Sequence, residues 1–244
     1  MNIEDDEQIH ELLSGIPEQL QIFKRGINPQ VQQAYLEYAT KIGSDEYTEQ
    51  DTSTKGKRLF DPDTAIDEKK KCLISLAHAG TVDACLTIRE FLETSEDEEL
   101  VEWGVLALEE GWLLVESDLF EKPMGMVMTG LGGEEERLRY FFAVGVKERG
   151  FPDTYKRTIE QAISLVCGQF DAVLEEVQIF DNYVTVQILI PMDVAVAKVI
   201  EGGIIESNRA GEWLGRDYFV TNSEIPSAEQ ILQYLQQARE QRGS

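Results

Sequence analysis

The stretch VQIFDNYVTVQILIP, residues 177–191, decides the fold. Apolar and β-branched side chains run up to Phe180 and resume at Tyr183, and Asp181-Asn182 between them is a tight-turn signal. Ala172–Phe180 and Tyr183–Ile190 are therefore expected as two strands of one hairpin. Upstream, Leu138–Val146 is aromatic and β-branched and reads as a strand. Pro152-Asp153-Thr154 opens a helix that places Tyr155, Ile159, Ala162, Ile163 and Val166 on one face. Downstream, Met192–Ser207 reads as an apolar helix and Arg216–Val220 as a short strand. Pro226–Arg239 is the final helix, with Ile231, Leu232 and Leu235 inward. This order predicts an α+β chain ending in a ferredoxin-like βαββαβ domain with an extra C-terminal helix.

The N-terminal half is helical by pattern. Ile9, Leu12 and Leu13 form a short apolar stripe, and Val31, Tyr35, Tyr38 and Ala39 form another after the helix-start signal Asn28-Pro29. Residues 44–64 are polar and read as an exposed loop. From Lys69 to Leu92 two short helices joined at Ala79-Gly80-Thr81 resemble one HEAT-type repeat, and Leu100 to Leu114 supply a third helix. Met124–Gly133 is glycine-punctuated and reads as a flexible joint; its Gly130-x-x-Gly133 lacks the Lys-Ser/Thr ending of a phosphate loop. The expected division is an acidic helical domain over 1–123, a connector over 124–136 and the ferredoxin-like domain over 137–244.

The formal net charge is −24, and it is unevenly spread. Residues 137–244 hold 15 acidic and 11 basic side chains, so most of the negative charge falls in residues 1–136. Such a body repels nucleic acid, while the nearly neutral C-terminal half does not. Cys72, Cys85 and Cys167 lie far apart in apolar helical patterns, the signature of buried reduced thiols. Two histidines cannot assemble a His-rich zinc site. The acidic start lacks the features of a secretory signal, and no apolar run is long enough to span a membrane, so a cytoplasmic location is expected. The pairs Glu109-Glu110 and Glu175-Glu176 read as solvated faces.

The run VQIFDNYVTVQILIP, followed by LGRDYFV and ILQYLQQ, resembles the single-tyrosine HUH transposases of small bacterial insertion sequences and their repeat-associated relatives. The likeness covers residues 137–240. It implies two metal-binding histidines on a central strand, a glycine–arginine–aromatic strand, and a late helix bearing a tyrosine that attacks DNA. The histidine positions fall on Tyr183 and Thr185, and the third metal ligand falls on Ala238; none is a competent ligand for such a metal. The nucleophile position is kept as Tyr234. Its other reading is a tyrosine packed at the domain surface. Arg216 matches the late strand and is read either as an anion contact or as the partner of a local carboxylate. Lys147, Arg149, Lys156 and Arg157 cluster after the first strand, as a vestigial nucleic-acid edge or a solvated helix start.

These features imply a non-catalytic transposase-like protein, with no cofactor, acting in binding or regulation with a protein partner. A hairpin-binding module for single-stranded nucleic acid, using residues 137–244, is the first rival. A small-molecule sensor is the second. Open strand edges and the family likeness imply a homodimer.

Overall fold

The computed structural model describes residues 19–42, 49–147, 153–209 and 211–242. The apolar stripe at Ile9, Leu12 and Leu13 lies outside the described residues, as does Arg149. The chain divides into two compact units, Met1–Gln21 with Ile27–Val127 and Ile22–Gly26 with Met128–Ser244. It is a mixed α and β protein with eight helices among the described residues and an antiparallel sheet.

Strand β1 (Gln19–Ile22) pairs with β2 (Met124–Val127). Helix α1 (Pro29–Ile42) starts where Asn28 accepts a hydrogen bond from the Gln30 amide at 2.8 Å, satisfying one of the open amides of a helix start. Helices α2 (Glu49–Phe60), α3 (Ile66–His78), α4 (Val82–Thr94) and α5 (Glu98–Leu119) follow. The chain turns from α3 to α4 at Gly80, whose φ of +57° suits a residue without a Cβ. Thr81 then caps α4 through the Ala84 amide, and Asp97 caps α5 through the Leu100 amide. Leu73, Ile74 and Leu76 of α3, Cys85 and Ile88 of α4, and Leu100, Trp103 and Leu106 of α5 are all buried.

Two expectations need correction here. The exposed loop expected over 44–64 contains helix α2, whose Gly56 and Leu59 are buried. Its sequence, EQDTSTKGKRLF, carries too few apolar residues to show a helical stripe. The expected joint over 124–136 carries β2 and the two-residue strand β3 (Gly133–Glu134). A side chain at Gly133 would meet the Arg137 carbonyl oxygen at 2.3 Å, so this glycine serves a close strand approach rather than flexibility.

The second unit is built on strands β4 (Arg137–Val146), β5 (Val173–Ile179), β6 (Tyr183–Pro191) and β7 (Leu214–Thr221), with helices α6 (Asp153–Gln169), α7 (Val196–Ser207) and α8 (Ala228–Arg242). The sheet order is β5-β6-β4, and both β3 and β7 pair with β4; all these pairings are antiparallel. Register places Ala143 opposite Thr185 and Gly145 opposite Tyr183. Helix α7 starts later than expected, because Pro191 through Ala195 form a turn, with the Val194 amide bonded to the Pro191 carbonyl.

Alternation along the strands gives the sheet two unlike faces. One buries Phe142, Val144, Val184, Val186, Ile188 and Ile190 in a core completed by Ile159 and Ile163 of α6 and Ile200 and Ile204 of α7. On the other, Phe141, Ala143 and Tyr183 form a smaller cluster with Ile231 and Leu235 of α8. Leu232, expected inward, is 45% exposed, one position off that stripe.

Candidate functional site

The positions matched to the transposase motif lie on the second face. Tyr183 and Thr185 are two apart on β6 and each is 6% exposed. Tyr183 sits in the apolar cluster with Ile231 and Leu235 of α8, and its ring lies 4.7 Å from that of Phe180. Tyr234, half-buried on α8, stacks on Phe219 of β7 with ring centroids 4.3 Å apart. Ala238 follows one helical turn later and is also half-buried. A phenol, a secondary hydroxyl and a methyl group do not make a ligand set for a divalent metal. Among the described residues no group of three or more His, Cys, Asp and Glu stands close enough to hold one.

Beyond the α8 cluster this face turns polar. Arg139 of β4 holds Glu175 of β5 in a two-pronged pair at 2.6 and 2.8 Å, and also donates to the Leu131 carbonyl. Glu175 is the extra residue where the β5–β6 register shifts between Leu174 and Glu176. Its neighbour Glu176 accepts from Gln187 at 2.8 Å. The pair Glu175-Glu176 is therefore engaged across the sheet rather than simply solvated. In the first unit, Glu110 likewise accepts from Tyr35 at 2.5 Å and lies 3.0 Å from His78 Nε2.

Arg216 and Lys147 are brought together elsewhere. Both line a cleft of about 530 Å³ with Glu201, Ile204, Ile205, Asn208 and Glu212. Lys147 Nζ lies 2.8 Å from Glu212. The Lys147 ammonium, with Arg216 contributing, holds the Glu212 carboxyl below its ordinary value. The scaffold beneath is specific. Asn208 Nδ2 donates to the Leu214 carbonyl and its Oδ1 accepts from the Leu214 amide, both at 2.9 Å. The Lys147 amide donates to the Trp213 carbonyl, and the Trp213 ring stacks on Tyr155 at 4.3 Å. Lys156 pairs loosely with Glu160 on α6, 3.8 Å away, and Arg157 is exposed there; neither lines the cleft.

Sequence reasoning thus grouped residues that the fold separates. Glu201, Asn208 and Glu212, which complete the cleft, carry no recognisable motif; only the surface clustering of α7, the loop after it and β7 assembles them. A second cleft of about 580 Å³, at the end of β4 beside α8, also includes Lys147, together with Asn182, Gln236 and Arg239. Arg239 donates to Asp217 at 3.1 Å.

The chain matches no protein-family model and no curated protein. Among solved structures it is similar to a candidate transposase of Deinococcus radiodurans R1, at 14% identity and a TM-score of 0.35, over 42% of this chain and 91% of that one. It is also similar to a REP-associated tyrosine transposase bound to a REP hairpin, at 12% identity and a TM-score of 0.31, over 40% of this chain and 61% of that one. A third similar structure is the C-terminal domain of the MgtC protein from Mycobacterium tuberculosis, at 16% identity and a TM-score of 0.28, over 39% and 97%. At these TM-scores the likeness carries no argument about activity.

Proposed function

We propose that this chain is a non-catalytic binding protein, in which an acidic helical unit of HEAT-like character is joined to a degenerate transposase-like unit of ferredoxin-like build. The observation that carries the reading is the covered sheet face. Tyr183 and Thr185, the positions that the resemblance assigns to metal ligands, are each 6% exposed, and Tyr183 packs with Ile231 and Leu235. The strand order β5-β6-β4-β7 supports the ferredoxin-like part. The test is incubation of the unmodified protein with Mn²⁺ and a single-stranded DNA hairpin. The expected outcome is no strand scission and no covalent adduct at Tyr234; either product overturns the reading.

The rival, hairpin binding without cleavage, has Lys147 and Arg216 on one surface in its favour. Against it, Glu201 and Glu212 stand among those cations and oppose a polyanion. Titration with DNA hairpins at low salt decides: absence of binding removes this rival. The partner we propose for the acidic unit is a protein, with the chain itself forming a two-fold dimer. Light scattering at high micromolar concentration checks the dimer, and a monomer there removes it.

A further inference from the structure

Strand β5 ends the sheet on one side, with β6 as its one partner strand among the described residues. At the hairpin turn the Phe180 amide donates to the Tyr183 carbonyl, and pairing alternates back along β5 from that point. Gln178 and Glu176 therefore turn their main chains toward β6, while Val177 and Ile179 turn theirs outward. No other described strand or loop bonds to these outward amides and carbonyls. Helix α6 stands beside this edge and makes it a cleft of about 610 Å³. Glu160 and Leu165 of α6 line it, with Leu174, Glu175, Glu176 and Val177 of β5. Leu165 is 55% exposed there. Open main-chain groups beside an apolar helix side chain suit an extended peptide taken up as an added strand. The three lining carboxylates are unequally matched. Glu160 has Lys156 at 3.8 Å, and Glu175 has the two-pronged Arg139. Glu176 accepts from the Gln178 and Gln187 side-chain amides, at 2.7 and 2.8 Å, and meets no cation among the described residues.

We propose that the outer edge of β5 binds an extended peptide of another protein as an added strand, with alternate side chains basic and apolar. Strand alternation sets that pattern. Peptide residues on the α6 side lie against Leu165 and Leu174, and those between them lie on the opposite face beside Glu176. A second copy of β5 fits worse. Antiparallel pairing centred on Val177 would set the two Glu176 side chains diagonally across from each other, within reach of like-charge repulsion. The two-fold dimer then uses another surface. This inference rests on the reading of the chain as a binding protein and names the partner of its second unit. The two fail separately: a failed peptide titration leaves the nicking result standing, and scission of DNA leaves the β5 edge unchanged.

The experiment is a fluorescence-anisotropy titration of the full chain, in physiological salt, against a labelled peptide alternating lysine and valine over seven residues. Saturable one-to-one binding is expected. A net charge of −24 attracts any lysine-rich peptide, so the controls must report on the main chain and on named side chains. Methylating one alternate set of peptide amides should weaken binding by about tenfold or more, and methylating the other set should not. Only every second residue of an added strand turns its main chain to β5. Leu165→Ala should weaken binding several-fold through lost apolar contact. Glu176→Lys should weaken the lysine peptide several-fold and improve binding of its glutamate–valine counterpart. Both side chains are exposed, so the variants keep the fold. Absence of saturable binding, equal effects of the two methylated sets, or unchanged binding by both variants would each overturn the assignment. So would a Glu176→Lys change in oligomeric state without peptide binding, which would give the edge to a second copy.

Discussion

Phe219 of β7 and Tyr234 of α8 lie nearly parallel, their ring centroids 4.3 Å apart and their planes 18° apart. The stack fixes α8 against the sheet edge while Ile231 and Leu235 fill the face beside Tyr183. Tyr234 therefore packs on the edge strand. Tyr234→Phe should leave stability within about 0.5 kcal/mol, since the ring is kept. A double-mutant cycle of Tyr234→Ala with Phe219→Ala should show a coupling of about 0.5–1.5 kcal/mol in denaturant unfolding. A coupling near zero would separate the rings energetically and remove the anchoring role.

Leu235 is 7% exposed and Ile231 4%, so α8 depends on both for its seat. Leu235→Ala should cost about 2–5 kcal/mol, the range for truncating a buried aliphatic residue. Hydrogen exchange should then rise in α8 before it rises in β4 or β6, because β4 and β6 are also held by the larger core on the opposite face. Uniform exchange across the unit would mean that α8 and the sheet open together.

The contrast between α8 and α2 explains how much was legible in the sequence. The hairpin was readable because Asp181-Asn182 interrupts two runs rich in β-branched side chains, and register follows from the turn as far as Glu176, where the irregularity at Glu175 shifts it. The inward stripe of α8 was readable at Ile231 and Leu235 from their spacing. What they cover was not readable, because periodicity reports that a face is buried but never against which partner. Helix α2 escaped because its burial rests on Gly56 and Leu59 among polar residues. Space decides at Gly56, where an added Cβ would lie 3.2 Å from the Thr87 methyl. The likeness to the transposase motif grouped Arg216 with Tyr183 and Tyr234, yet strand alternation sends Arg216 to the cleft on the α7 side.

Arg139 and Glu175 join β4 to the irregular point of β5, and their side chains are 22% and 26% exposed. A two-pronged, partly shielded pair is worth more than an ordinary surface ion pair, so Arg139→Ala should destabilise by about 1–2 kcal/mol. Arg139→Lys should recover less than half of that, because an ammonium cannot reproduce the planar fork that also reaches the Leu131 carbonyl. Full recovery with lysine would reduce the interaction to simple charge.

Burial pushes the Cys167 thiol up to about 11 from an ordinary value of 9.0. A raised folded value means that the unfolded chain loses this proton first as the pH rises. The contribution is therefore fully present below about pH 9 and is lost progressively as the pH climbs to about 11. At 1.36 kcal/mol per pH unit, the loss over that window is at most about 2–3 kcal/mol. Unfolding free energies of the native protein and of Cys167→Ala, measured from pH 8 to pH 11, should diverge in that sense, the alanine variant showing the shallower alkaline decline. Parallel curves would mean that the thiol ionises as readily in the folded chain as in the unfolded one.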